Sequence, residues 1–234
     1  MSTLPSKSGL LPPQQESKPN AALHRLNQLL PLAERQAALP APLIELHRAV
    51  LRAFINRGCP LTRAEIEQQW PDLALEPALA RLAGDDLIVL APDTQEIIGA
   101  YPLTGEDTPH KVRVNGHTLR AMCALDALSV SPLFGIPVEI ESNCRVTDQP
   151  LLLHQDGATL PLTKPSAEIQ VGIHWQPPQT CAAHSLCREM VFLVDAAAAE
   201  TWQAVAPEQR DCFSLPNAIA LGAAFFSPLL EEMG

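Results

Sequence analysis

Apolar residues recur at helical spacing through the first third of the chain. Leu23, Leu26, Leu29 and Leu30 share one stripe of a helix over residues 21–32. Leu43, Leu46, Val50 and Phe54 share a stripe of a second, over residues 42–57. Pro42 suits a first helical position, where a missing N–H is no loss, and Gly58 suits the cap at the far end. Thr62 stands three residues before Glu65, the spacing of a capping box, so a third helix starts there and ends by Trp70-Pro71. "LEPALARLAGDD" reads as another short helix, and "LIVLAPDTQEIIGAYPL" as two short strands about a turn at Pro92-Asp93. Helices, then a helix–turn–helix, then a hairpin, form a winged-helix arrangement.

From about residue 108 the period shortens to two. "KVRVNGHTL" places Asn115-Gly116 between alternating residues, a hairpin-turn signal. A helix through "RAMCALDAL" follows and is expected to end before Pro132. "IPVEIESNCRV" alternates Val138 and Ile140 inward with Glu139 and Glu141 outward, and reads as an edge-like strand ending at Cys144. "AEIQVGIHWQ" puts Ile169, Val171, Ile173 and Trp175 on one face, and the continuous apolar run "MVFLVD" reads as a central strand. Asp195 is placed to cap a helix through "AAAAETWQAV", and "LPNAIALGAAFFSPLL" closes the chain as an apolar helix. The expected fold is α+β: a winged-helix-like helical part over residues 21–105, then a mostly antiparallel sheet with packed helices over residues 108–234. Residues 1–20 hold four prolines among polar residues and read as a disordered tail.

Charge narrows what the helical part can do. The chain carries a formal net charge of −10, with only 16 Lys and Arg among 234 residues. The would-be recognition helix has Asp72, Glu76, Asp85 and Asp86 in or beside it against Arg81 alone, so phosphates would be repelled. Nucleic acid is not the expected partner. There is no apolar stretch long enough for a membrane span, and the first residues lack the apolar core of a signal peptide. A soluble, cytoplasmic protein is expected. In that reducing setting the six cysteines (59, 123, 144, 181, 187 and 212) should mostly be thiols, and close cysteines point to metal binding or catalysis before disulfides.

Two clusters could carry chemistry. In the first, Cys123 and Asp126 stand three apart on the expected helix, on one face, with Arg120 able to share it and favour a thiolate. Two negative groups side by side would repel, so one should hold a proton. The plain alternative is a buried cysteine beside a surface aspartate. The second cluster is "CAAHSLC", in which Cys181, His184 and Cys187 supply soft ligands at a spacing that matches no common zinc finger. A loop with incidental cysteines, or a Cys181–Cys187 disulfide, explains the same residues. Cys187 stands just before "MVFLVD", and a side chain at a strand's mouth can reach a neighbouring helix, which gives it a route to Cys123. His110, His117, His154 and His174 are scattered and read as surface or satisfied histidines.

These residues resemble the organomercurial (alkylmercury) lyases. The resemblance rests on "LRAMCALDALSVSPLFGIPVEIESNC", on "LCREMVFLVD", and on "ETWQAV" before an apolar C-terminal helix; it covers roughly residues 108–228. It implies a reaction centred on Cys123, Asp126 and Cys187, with Cys144 as a structural cysteine. Arg188 stands where family members often have a second cysteine, and Met122 where an aromatic residue is frequent. The resemblance implies that Cys123 and Cys187 bind mercury while Asp126 moves a proton to carbon, releasing hydrocarbon and leaving Hg(II) on the two thiols. No built-in cofactor is expected. Small thiols, or a thiol protein, would remove the mercury. Two rival readings use the same residues: a thiol-based, metal-responsive winged-helix regulator, and a zinc-binding protein that uses Cys181, His184 and Cys187 with Cys123 or Cys144.

Overall fold

The computed structural model describes residues 18–160 and 166–231. Of the disordered tail expected over residues 1–20, residues 1–17 lie outside them, and residues 18–20 are helical instead, because they form the first turn of a helix whose apolar stripe is packed. The first helix, α1 (Lys18–Leu29), begins three residues ahead of the expected start, and what reads as one helix to residue 32 is two. Pro31 offers no N–H to continue α1, so the chain restarts as α2 (Leu32–Ala37). Then come α3 (Ala41–Arg57), α4 (Arg63–Gln69) and α5 (Leu75–Gly84). Gly58 takes the left-handed conformation at φ 82° and donates its N–H to the Phe54 carbonyl, as the sequence implied. The Thr62–Glu65 capping box is complete in both directions.

Seven strands form one antiparallel sheet: β1 (Val89–Leu90), β2 (Ile97–Ala100), β3 (Leu103–Thr104), β4 (Lys111–Val114), β5 (His117–Ala121), β6 (Val138–Asn143) and β7 (Pro150–Gln155), in the order β1-β2-β3-β5-β4-β6-β7. The β4–β5 turn is made by Asn115 and Gly116, both at positive φ, which is why that pair stands there. A second antiparallel sheet has the order β10-β8-β9, from β8 (Gln170–His174), β9 (Met190–Leu193) and β10 (Arg210–Ser214). Three helices complete the chain: α6 (Ala124–Phe134), α7 (Ala196–Gln203) and α8 (Leu215–Phe226). The architecture is mixed α+β with antiparallel sheets, as expected.

Several local expectations are corrected. "MVFLVD" is β9, an edge strand rather than a central one. Its four residues are all buried because α6, α7 and β6 pack against it, so the apolar run reports cover on both faces rather than position in a sheet. The Phe192 carbonyl on that edge accepts the Arg145 N–H at 2.9 Å. Conversely β6 is an interior strand, paired with β4 and β7; its half-buried glutamates Glu139 and Glu141 answer Arg113 and Lys111 across the sheet. Helix α6 does not stop before Pro132 but runs through it to Phe134, capped by Gly135. The proline leaves the Leu128 carbonyl without its helical donor, and Gln155 Nε2 supplies one at 2.8 Å.

α6 is buried on nearly all sides and packs along α8. The approach is close because α8 has glycine at 222: a Cβ built there would fall on the Ser129 hydroxyl, which is already donated to the Leu125 carbonyl. Gly222→Ala should therefore destabilise the protein by about 1–3 kcal/mol through overpacking, read as a lower denaturation midpoint at unchanged slope.

Candidate active site

Cys123 is not within a helix. "RAMCALDAL" crosses from β5 through Cys123, in extended conformation, into α6, for which Cys123 is the N-cap. Its Sγ accepts the Asp126 N–H at 3.3 Å, the part a serine or aspartate usually plays. The i,i+3 spacing thus brings thiol and carboxylate together through a cap instead of a helix face. Arg120 does not share that face. It sits on β5, pairs with Asp107 at 2.6 Å and donates to the Thr108 carbonyl. It gives the thiol no cationic partner.

Cys187 arrives from the other sheet. It heads a short 3-10 turn, Cys187–Glu189, that leads into β9, and β9 lies against α6. One ligand atom from each of Cys123, Asp126 and Cys187 lies within 4.8 Å of the others. Among the described residues these three form the group of cysteine, histidine and acidic side chains close enough to share one metal ion. All three are buried, at 0%, 2% and 3% exposure. Met190 adds a soft thioether, 3.7 Å from Cys123 Sγ.

Burial sets the protonation of the site. It pushes the Asp126 carboxyl up to about 7, with the neighbouring Cys123 and Cys187 thiols pulling the other way, and Asp126 Oδ2 is buried without a hydrogen-bond partner. Burial likewise pushes the Cys123 thiol up to about 11. Cys187 is raised well above the ordinary thiol range by its hydrogen bond with Cys123 and then by burial. The resting cluster thus favours two neutral thiols beside a carboxyl that holds its proton far more readily than an ordinary carboxylate.

The second cysteine cluster does not converge. His184 Nε2 is 2.8 Å from Glu106 Oε2, Cys181 Sγ is 3.2 Å from Asp86 Oδ1, and only Cys187 enters the buried site. All six cysteines are free thiols, so there is no Cys181–Cys187 disulfide. Cys144 accepts the Val194 N–H at 3.4 Å and ties the end of β6 to the end of β9. His110 is buried with Ser142 Oγ 2.9 Å from Nδ1, a satisfied histidine as expected. A cavity of about 800 Å³ lies beside the cluster. Met122 and Arg188, chain neighbours of Cys123 and Cys187, line it; the three clustered residues do not.

Two residues near the site carry no signal in the sequence. Tyr101, 1% exposed, donates its hydroxyl to Asp86 Oδ1 at 3.3 Å. Its phenol is raised well above the ordinary range by burial, then by the charges of Cys187, Asp86, Cys181 and Asp126. Its hydroxyl thus lies against the Asp86–Cys181 pair, 3.3 Å from the carboxylate and 4.0 Å from the thiol. Asp86 comes from the turn after α5 and Tyr101 from the turn after β2, so only the tertiary fold unites them.

The chain resembles known proteins over this region. A curated alkylmercury lyase of Bacillus cereus is 32% identical over 130 residues, which is 56% of this chain and 59% of that protein. One from Staphylococcus epidermidis is 31% identical over 147 residues, 61% of this chain and 64% of that protein. These alignments thus span about three fifths of the relatives' length. A crystal structure titled as the mercury-bound form of MerB2 superposes with a TM-score of 0.70 at 23% identity, covering 87% of this chain and 99% of that one, and shares its fold. The family model described as alkylmercury lyase matches residues 103–227, just over half of the chain and a span that contains Cys123, Asp126 and Cys187: the chain belongs to the alkylmercury lyase family.

Proposed function

We propose that the protein cleaves carbon–mercury bonds by protonolysis, releasing a hydrocarbon and Hg(II). The observation that carries this reading is the buried convergence of two thiols and a carboxyl within 4.8 Å. Mercury in an R–Hg⁺ group is soft, and thiolates are its preferred ligands. Cys123 and Cys187 bind it and raise electron density at the metal, which weakens the carbon–mercury bond. Each thiol gives up a proton as it ligates. Asp126 holds one and passes it to the departing carbon as general acid. The other leaves with the ligand that escorted the substrate, typically a small thiol. The balance is then R–Hg–SR′ plus two protein thiols giving R–H, R′SH and Hg(II) on two cysteines. No redox partner or resident cofactor enters it.

The remaining Hg(II) would leave to small thiols or to a thiol protein, which a reducing cytoplasmic setting supplies. The cavity bordered by Met122 and Arg188 is the route we assign to the substrate. Residues 21–105 are then a winged-helix-like scaffold for a catalytic part over residues 108–234, rather than a DNA-binding element. The charges favour this: Arg81 is taken up by Asp85 at 2.6 Å, and Arg57 and Arg63 pair with Glu65 and Glu76.

The test is to mix purified, reduced protein with phenylmercury and excess small thiol and to measure benzene in the headspace. Repeated turnover is expected. Stoichiometric mercury uptake with no benzene would overturn the lyase reading and leave a thiol-based mercury-binding protein.

A further inference from the structure

The catalytic cluster leaves one thiol of the "CAAHSLC" segment unused, and that thiol has a base. Cys181 is half-buried and its Sγ donates to Asp86 Oδ1 at 3.2 Å. Asp86 is held by the Ala182 N–H at 3.1 Å, by the Tyr101 hydroxyl and by Arg35 at 3.9 Å. Tyr101 Oη is also 4.0 Å from Cys181 Sγ. Cys181 and Cys187 lie at the heads of two successive 3-10 turns, Ala182–His184 and Cys187–Glu189, that pack on each other. A more exposed thiol, hydrogen-bonded to a carboxylate, therefore heads the turn that packs on the one carrying Cys187 of the buried thiol pair.

Buried mercury faces a physical difficulty. Two thiolates hold Hg(II) tightly, and at 0% and 3% exposure neither sulfur is open to a thiol from solution. We propose that Cys181 is a relay ligand for Hg(II), drawing the metal off the Cys123–Cys187 pair toward solvent after cleavage; this rests on the lyase reading. In the exchange, the Cys181 S–H bond breaks and its proton passes to the Asp86 carboxylate. A Cys181–mercury bond forms as the Cys123–mercury bond breaks. Asp86 returns its proton to water, and the freed Cys123 sulfur takes one up. Mercury stays Hg(II) throughout. A solution thiol then meets the metal at the half-buried sulfur instead of in the core.

The experiment starts from HgCl₂, so it does not depend on cleavage. Reduced full-length protein is loaded with one equivalent of Hg(II), and release to a small thiol is followed in the parent and in Cys181→Ser and Cys181→Ala. A thiol tethered at the site acts at an effective concentration in the millimolar range, so release from both variants should be about tenfold slower at about 0.1 mM thiol and near parental at about 10 mM. Equal release rates in parent and variants at low thiol would overturn the proposal. So would a slowing that high thiol does not relieve, because that marks a damaged loop and not a missing ligand. Absence of benzene in the headspace assay, with this thiol-dependent pattern intact, would sink the lyase reading and leave the relay standing.

Discussion

Asp126→Asn should take up phenylmercury as the parent does and release benzene about 100- to 10,000-fold more slowly, the range lost when a positioned proton donor is removed. The substitution preserves shape, and the Asp126 backbone N–H still donates to Cys123 Sγ, so the α6 cap survives. What is lost is the only acid in the cluster that changes charge near neutral pH. The thiols cannot replace it: Cys123 is pushed up to about 11, and once either sulfur binds mercury its proton is gone. Cys187→Ser should show the complementary defect. With one thiolate missing, the carbon–mercury bond is not activated and mercury retention falls with turnover. Binding assays on the two variants therefore separate ligation from proton delivery. If Asp126→Asn keeps parental turnover, proton delivery by this carboxyl is wrong; if Cys187→Ser does, the two-thiol site is wrong.

What the sequence made legible follows from local physics. The Thr62–Glu65 box, the Gly58 cap and the Asn115-Gly116 turn are decided by a few adjacent residues, and each stands where the pattern put it. The pairing of Cys123 with Asp126 is also local, but a cap and a helix face both bring residues three apart together, and sequence spacing alone does not separate them. The edge and interior positions of β9 and β6 were exchanged because periodicity reports which faces are covered, not how many strands lie alongside. Pro132 reads as a helix stop because the donor that compensates for it comes from Gln155, on a strand distant in sequence. Asp86 and Tyr101 were invisible for the same reason.

The N-terminal helices reach the site through that last pair. Asp86 follows α5, yet its carboxylate accepts the N–H of Ala182 in the loop that leads to Cys187. The N-terminal part thus helps to set the position of the loop that carries Cys187, while β5 and α6 set Cys123. The three clustered residues all lie after residue 108, yet the loop that carries Cys187 is anchored by a residue of the N-terminal part, so the site depends on the packing of both.

The protein should lose stability as the pH rises from 5 to 8, and Asp126→Asn should remove about 2–3 kcal/mol of that loss. Asp126 has a carboxyl pKa of about 7 in the folded protein against an ordinary 3.8. Below pH 4 both states hold the proton and the group has no effect on folding. Between 4 and 7 the native state keeps a proton that the unfolded chain has released, so each step up in pH favours unfolding. Above 7 both are ionised and the native state carries the full penalty of a buried charge. The neutral amide has no such titration, so the difference in unfolding free energy between parent and variant isolates this carboxyl from every other titrating group. Measurements should stop at pH 8, because the raised thiols of Cys123 and Cys187 add a further loss of the same sign as unfolded thiols begin to ionise. A difference that stays flat from pH 5 to 8 would mean that Asp126 titrates as an ordinary carboxylate. It would then hold no proton at neutral pH, and protonolysis would have to draw its proton from elsewhere.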